Sequence, residues 1–121
     1  MSDAPTSKPV GPYTPAVRAG EWLIISGQVG AVEGKLVAGG FSAELRQALT
    51  NLRGLLEANG ATMADVAKTT VFLTHLNDYG RMNDIYVEAF GDHRPARSAM
   101  AVAELPLGAL VEIEAWAHLG S

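Results

Sequence analysis

Arg97, Glu112 and Glu114 are the side chains in this 121-residue sequence best placed to do chemistry. The arginine sits in "FGDHRPARSAMAVAELP", residues 90–106, among some of the smallest side chains in the chain. On a strand alternate residues face opposite ways. Arg97 then shares a face with Ala99, Ala101 and Ala103, while Ser98, Met100 and Val102 share the other. A guanidinium is permanently charged, and its planar fork matches a carboxylate through two parallel hydrogen bonds. Each such bond contributes about 1.5–3 kcal/mol when sheltered. Methyl neighbours leave room for a ligand beside that hook. The plain alternative, to which the residues alone lean, is an exposed or salt-bridged arginine.

"LVEIEAWAH" near the C-terminus puts Glu112, Glu114, Trp116 and His118 on one strand face and Val111, Ile113, Ala115 and Ala117 on the other. Two carboxylates so close need solvent or partners. They describe either a solvated edge strand or a pair in which one carboxylate is structural and the other is an acid, base or water-holder. If the last two strands are adjacent, Arg97 and a glutamate flank one pocket. Other motifs are weaker. His75, His93 and His118 lack metal-ligand spacing, so no metal is expected. "GQVGAVEG" has neither the Walker lysine nor a strand–glycine–helix setting. Ser26 precedes Gly27 without a nucleophile elbow. Tyr86 and Phe90 read as core rather than as a stacking platform.

Forty-eight per cent hydrophobic and 18% charged residues describe a globular chain of one-domain size, residues 1–121, with 1–12 as a loose tail. The net charge of −4 and the scattered nine Lys and Arg argue against a general nucleic-acid binder. Absence of cysteine excludes disulfides, thiolate metal sites and thiol nucleophiles. The polar, proline-rich start is no secretory signal and no run approaches a membrane span, so a soluble cytoplasmic protein is expected.

The elements that must position these residues read in the order β-β-(β)-α-β-α-β-β. "AVRAGEWLIIS" is a hairpin turning at Ala19-Gly20, and the glycine-rich stretch after it holds one short strand. Leu45, Leu49, Leu52 and Leu56 mark a helix with Ser42 as N-cap, Glu44 at the positive end and Gly60 as its stop. "TMAD" forms a turn before the strand "VAKTTVFLTHL". A second helix carries Met82, Ile85, Tyr86, Ala89 and Phe90, and two strands joined through "PLGA" finish the chain. This order predicts an α+β fold with both helices on one face of a mixed sheet. Thr70, Phe72 and Thr74 on one side of the middle strand, and Val71, Leu73 and His75 on the other, leave no decisively polar face, so oligomerisation is expected to cover the second one.

Together "GPYTPAV", "LIISGQV", "VAKTTVFLTHLNDYGRMNDIYVEAF", "PARSAMAVAELP" and "VEIEAWA" resemble the reactive intermediate deaminase (RidA/YjgF) family over residues 11–118. The resemblance implies a chorismate-mutase-like α+β fold and a homotrimer with sites between subunits. It implies hydrolysis of 2-enamine and 2-imino acids, such as 2-aminoacrylate and 2-iminobutanoate, to 2-oxo acids and ammonia without a cofactor. The family's carboxylate-binding arginine falls on Arg97 and its acidic residue on Glu112, which makes Glu114 the structural partner. Tyr13, Ser26 and Asn83 fall on the tyrosine of "GPY", the serine of "SGQ" and the asparagine of the second helix, and Gly27 joins the substrate-binding set. A binding or regulatory protein using the same cleft, and an endoribonuclease, are the rival readings. The chain departs from the family at Ala99, where a cysteine is familiar, and in "GDHR", which replaces a longer loop before "PARS".

Overall fold

The computed structural model describes residues 11–120; most of the expected 1–12 tail lies outside them. Strands β1 (Ala16–Ala19) and β2 (Trp22–Val29) form the expected hairpin, with Ala19 opposite Trp22. The glycine-rich stretch holds two short strands rather than one, β3 (Ala31–Val32) and β4 (Lys35–Leu36), paired as a separate ribbon. Helix α1 (Gly40–Ala58) leads through a 3-10 turn to β5 (Val66–Leu73). Helix α2 (Tyr79–Phe90), β6 (Ala96–Ala101) and β7 (Val111–His118) complete the chain. The main sheet runs β1-β2-β7-β5-β6, antiparallel except where β5 and β6 pair in parallel.

That order corrects two readings of the last strands. They are not neighbours, because β5 lies between them, and β7 is an inner strand rather than a solvated edge. The cause is the crossover through α2. A strand–helix–strand unit returns its second strand parallel to the first, which sends β6 to the outside of β5 and leaves β5's other side to β7.

Both helices lie on one face of this mixed sheet. Leu45, Leu52 and Leu56 from α1, Met82, Ile85 and Phe90 from α2, and Val71, Leu73, Val111 and Ile113 from the sheet make one core. Period-2 alternation drives β7 into place: Val111, Ile113, Ala115 and Ala117 are fully buried against the helices, while Glu112, Glu114, Trp116 and His118 occupy the opposite face.

Helix α1 begins before its expected N-cap. Gly39 and Gly40 both adopt positive φ, 118° and 80°, so the chain reverses through glycine backbone and Ser42 already lies inside the first turn. Gly60 follows the helix as expected, behind Asn59. Glu44 does not serve the helix dipole. It is buried, and its Oε1 accepts the Leu110 N–H at 2.8 Å, tying α1 to the start of β7. Opposite it, the backbone of Gly30 approaches so closely that a methyl there would fall on the Glu44 main chain. Gly30→Ala is therefore expected to lower stability by about 3 kcal/mol, the upper range for overpacking, seen as a shifted urea midpoint at unchanged slope.

The face away from the helices carries exposed Trp22, Met100 and Trp116 beside half-buried Ile24, Thr70 and Phe72. Trp22 stacks edge-on against Trp116 and His118, with centroids 6.0 and 4.8 Å apart. No helix is long and apolar enough to cross a membrane among the described residues.

Candidate active site

Arg97 projects from the edge strand β6 to the helix side of the sheet, where α2 receives it. One guanidinium nitrogen donates to the Tyr79 hydroxyl at 3.0 Å and the other to the Met82 sulfur at 3.5 Å. The guanidinium carbon lies 4.8 Å from the Tyr86 ring centroid and 5.5 Å from that of Tyr79. Cation–π attraction and these two bonds hold the head group in place. Among the described residues the ion pairs are Arg46–Glu88 and Arg81–Asp78, so Arg97 has no carboxylate partner. Its remaining N–H donors are uncommitted. The surface salt-bridge reading is thereby replaced by a fixed cation beside an open depression of about 450 Å³, lined by Asn83, Tyr86, Val87, Arg94, Pro95 and Arg97. Ala99 follows on the same face, partly buried against the core. The alanine row is shorter than parity suggests, since β6 ends at Ala101 and Ala103 lies beyond it.

Tyr79 and Tyr86 were absent from the expected site. They are seven residues apart, two helical turns, with Met82 between them on the same side. That spacing signals a shared face, but it also fits a core stripe, and Tyr86 is core as well: it is 4% exposed and its hydroxyl bonds the Thr69 hydroxyl at 2.7 Å. Burial pushes the Tyr86 phenol above its ordinary pKa, while the Thr69 bond and the charges of Arg97 and Arg94 pull it down.

The second group of expected residues gathers on the other side of the sheet. Pairing between β2 and β7 slips between Ile25 and Gln28, a bulge that contains Ser26 and Gly27. Gly27 lies against Glu112, whose carboxylate fills the space a Cβ would need. Ser26 donates its N–H to the Pro15 carbonyl at 2.9 Å, which draws the segment bearing half-exposed Tyr13 alongside. The Ser26 Oγ is buried without a hydrogen-bond partner among the described residues. A sheltered hydroxyl in that state lacks a bond it would make in water. Burial raises the Glu112 pKa first, and the nearby Glu114 charge raises it further. A carboxyl shifted upward holds a proton more readily than an exposed one and is suited to proton transfer.

Register shows how the two groups relate. Thr69 aligns with Arg97 and Ala115, all on the helix side, while Phe72 aligns with Met100 and Glu112 on the open side. Within one chain, therefore, Arg97, Asn83 and Ala99 lie on one face and Ser26, Gly27 and Glu112 on the other. The expected single pocket flanked by Arg97 and a glutamate does not form inside one chain.

The endoribonuclease L-PSP family model matches residues 1–119. A RutC family protein, PH0854, of Pyrococcus horikoshii is 44% identical over 113 residues, covering 92% of this chain and 90% of its own. The human 2-iminobutanoate/2-iminopropanoate deaminase is 43% identical over 122 residues, 99% of this chain and 89% of its own. The crystal structure of RidA from an Antarctic Psychrobacter superposes with a TM-score of 0.92 at 36% identity, covering 98% and 97% of the two chains. The order of elements, the mixed sheet with its two helices and the sequence match agree over nearly the full length, and the chain belongs to the endoribonuclease L-PSP family, the family of the RidA/YjgF proteins.

Proposed function

We propose that this chain is an imine deaminase, hydrolysing reactive 2-enamine and 2-imino acids to 2-oxo acids and ammonia. Relatives 43–48% identical carry the name 2-iminobutanoate/2-iminopropanoate deaminase. The observation that carries the reading is Arg97: a caged guanidinium with free donors and no carboxylate partner, facing an open depression. It is built to receive the carboxylate of a small acid.

The two half-sites belong to one reaction only if two copies of the chain share it. The apolar open face supports a homotrimer in which the Arg97 group of one protomer meets the Ser26–Gly27–Glu112 group of its neighbour. In that site Arg97 clamps the substrate carboxylate, with Asn83 and Ala99 lining its side of the cleft. Glu112 holds a water against the imine carbon. As the water oxygen adds to carbon, Glu112 takes its proton and passes it to the nitrogen, giving a carbinolamine. Collapse then breaks the carbon–nitrogen bond as the hydroxyl proton passes, through Glu112, to the departing nitrogen, leaving ammonia and the 2-oxo acid. Ser26 Oγ, Tyr13 and the Gly27 backbone orient the substrate. The net change is addition of one water and loss of ammonia, so the reaction calls for neither redox equivalents nor a cofactor. These imines already hydrolyse in water, and positioning with local electrostatics is enough to accelerate them.

The test is to generate 2-iminobutanoate with an amino-acid oxidase and follow 2-oxobutanoate release. The protein is expected to raise that rate well above the uncatalysed one. Tight binding of 2-oxobutanoate with no acceleration would instead mark a carboxylate-binding protein. Ribonuclease activity is not adopted despite the family's name, because the chain is acidic and its nine Lys and Arg form no basic run along the sequence.

A further inference from the structure

The depression that Arg97 faces holds a second arginine, Arg94, and no acidic residue lines it. Neither cation takes part in the ion pairs found among the described residues. Two uncompensated guanidiniums on one small concavity repel each other, and a ligand with two negative groups relieves that repulsion. We propose that Arg94 makes the chain selective for 2-imino acids with a second carboxylate, those derived from aspartate or glutamate, with Arg97 on the α-carboxylate and Arg94 on the distal one. The assignment rests on the imine-deaminase reading for its reaction but on the cleft itself for its ligand.

Arg94 is aimed by its local structure. The connection from α2 to β6 is short, residues 91–95, and turns at Gly91 with φ 63°, whose N–H returns to the Val87 carbonyl. Arg94 Nη1 donates to the Gly91 and His93 carbonyls. Those bonds occupy one nitrogen and leave Nε and Nη2 free to meet a carboxylate. The His93 ring, bonded to the Val66 carbonyl at 2.6 Å, anchors the same turn to β5. Pro95 fixes the backbone between Arg94 and β6. Tyr86 lines the depression together with both arginines, and the charge of each favours its phenolate. A connection this short has no length to fold over the cleft, and Arg94 stands at its rim instead.

The experiment compares kcat/KM for imines made by oxidase from glutamate and from 2-aminobutyrate, with wild type, Arg94→Ala and Arg94→Lys. Circular dichroism and sizing confirm that each variant is folded. Wild type is expected to prefer the dicarboxylate, and Arg94→Ala to lower the dicarboxylate-to-monocarboxylate ratio about tenfold, the effect of removing one charged contact at a partly open site. Arg94→Lys, keeping charge without the fork, is expected to fall between. A ratio that Arg94→Ala leaves unchanged overturns the proposal. Should wild type accelerate neither imine, the deaminase reading fails, and calorimetry with 2-oxoglutarate and 2-oxobutanoate then decides the ligand. Tighter 2-oxoglutarate binding that Arg94→Ala abolishes supports it, and equal binding of the two acids overturns it.

Discussion

Arg97→Ala is expected to lower imine hydrolysis at least a hundredfold while the protein stays folded. A forked guanidinium–carboxylate contact supplies two charge-assisted bonds of about 1.5–3 kcal/mol each. Each 1.4 kcal/mol is about tenfold in rate or binding, so losing the fork costs about 10²- to 10⁴-fold in kcat/KM. The cost to stability is smaller. Arg97 gives up its contacts with Tyr79, Met82 and Tyr86, worth about 1 kcal/mol at a partly exposed site, and Thr69 still satisfies the Tyr86 hydroxyl. Arg97→Lys should recover part of the binding but not the orientation. Trapping the 2-oxo acid as a hydrazone measures the rate, and a folded Arg97→Ala protein with full activity would refute the assigned role.

Glu112→Gln is expected to reduce turnover by about 10²-fold or more, the usual loss for a proton-transferring group, with little change in affinity for a 2-oxo acid. Its effect on stability has a definite sign. The folded-state pKa of Glu112 is raised by burial and then by Glu114, so the native protein keeps this proton to higher pH than the unfolded chain does. The stabilising contribution is present below the ordinary glutamate range and is lost as pH rises through the raised value. Glutamine cannot ionise. Glu112→Gln should therefore gain stability relative to wild type as pH rises from about 4 to neutrality, and the two melting curves should converge in acid. A variant that loses activity while gaining neutral-pH stability separates a catalytic carboxylate from a structural one.

The same two substitutions test whether the site is shared. Arg97→Ala and Glu112→Gln chains, each inactive alone, are co-expressed with different tags and the mixed oligomers purified. Where one copy supplies Arg97 and the next supplies Glu112 around a closed ring of three, about a third of the sites in the purified mixed trimers contain both native residues. Recovery of that order of activity is expected. No recovery in verified mixed oligomers would mean that both side chains act within one protomer, against the register that sets them on opposite faces.

Much of the framework is legible in the sequence. The leucine stripe of α1 and the Met82–Ile85–Tyr86–Phe90 stripe of α2 are buried as their helical spacing requires. Alternation along β7 separated the glutamates from the core valine, isoleucine and alanines. These patterns are local: burial of one face per element follows from period alone. The start of α1 differs from the expected one because serine is a strong cap signal, whereas the glycine pair at 39–40 reverses the chain and puts the N-cap at Gly39, three residues before Ser42. Glu44 looked like a dipole partner because its bond to Leu110 spans 66 residues.

For the site, the sequence by itself determined the residue types, the face each occupies within its strand and, through the family motifs, which arginine and which glutamate to follow. Tertiary structure alone decided that those faces are opposite. Parity relates residues along one strand but says nothing about strand order, and here the α2 crossover inserts β5 between the arginine strand and the glutamate strand. It also decided that Arg97 is caged by Tyr79 and Tyr86 rather than paired with an acid, and that Arg94 shares its cleft. Those contacts join a helix to a strand edge, and such a meeting depends on packing across the whole sheet rather than on spacing in the chain.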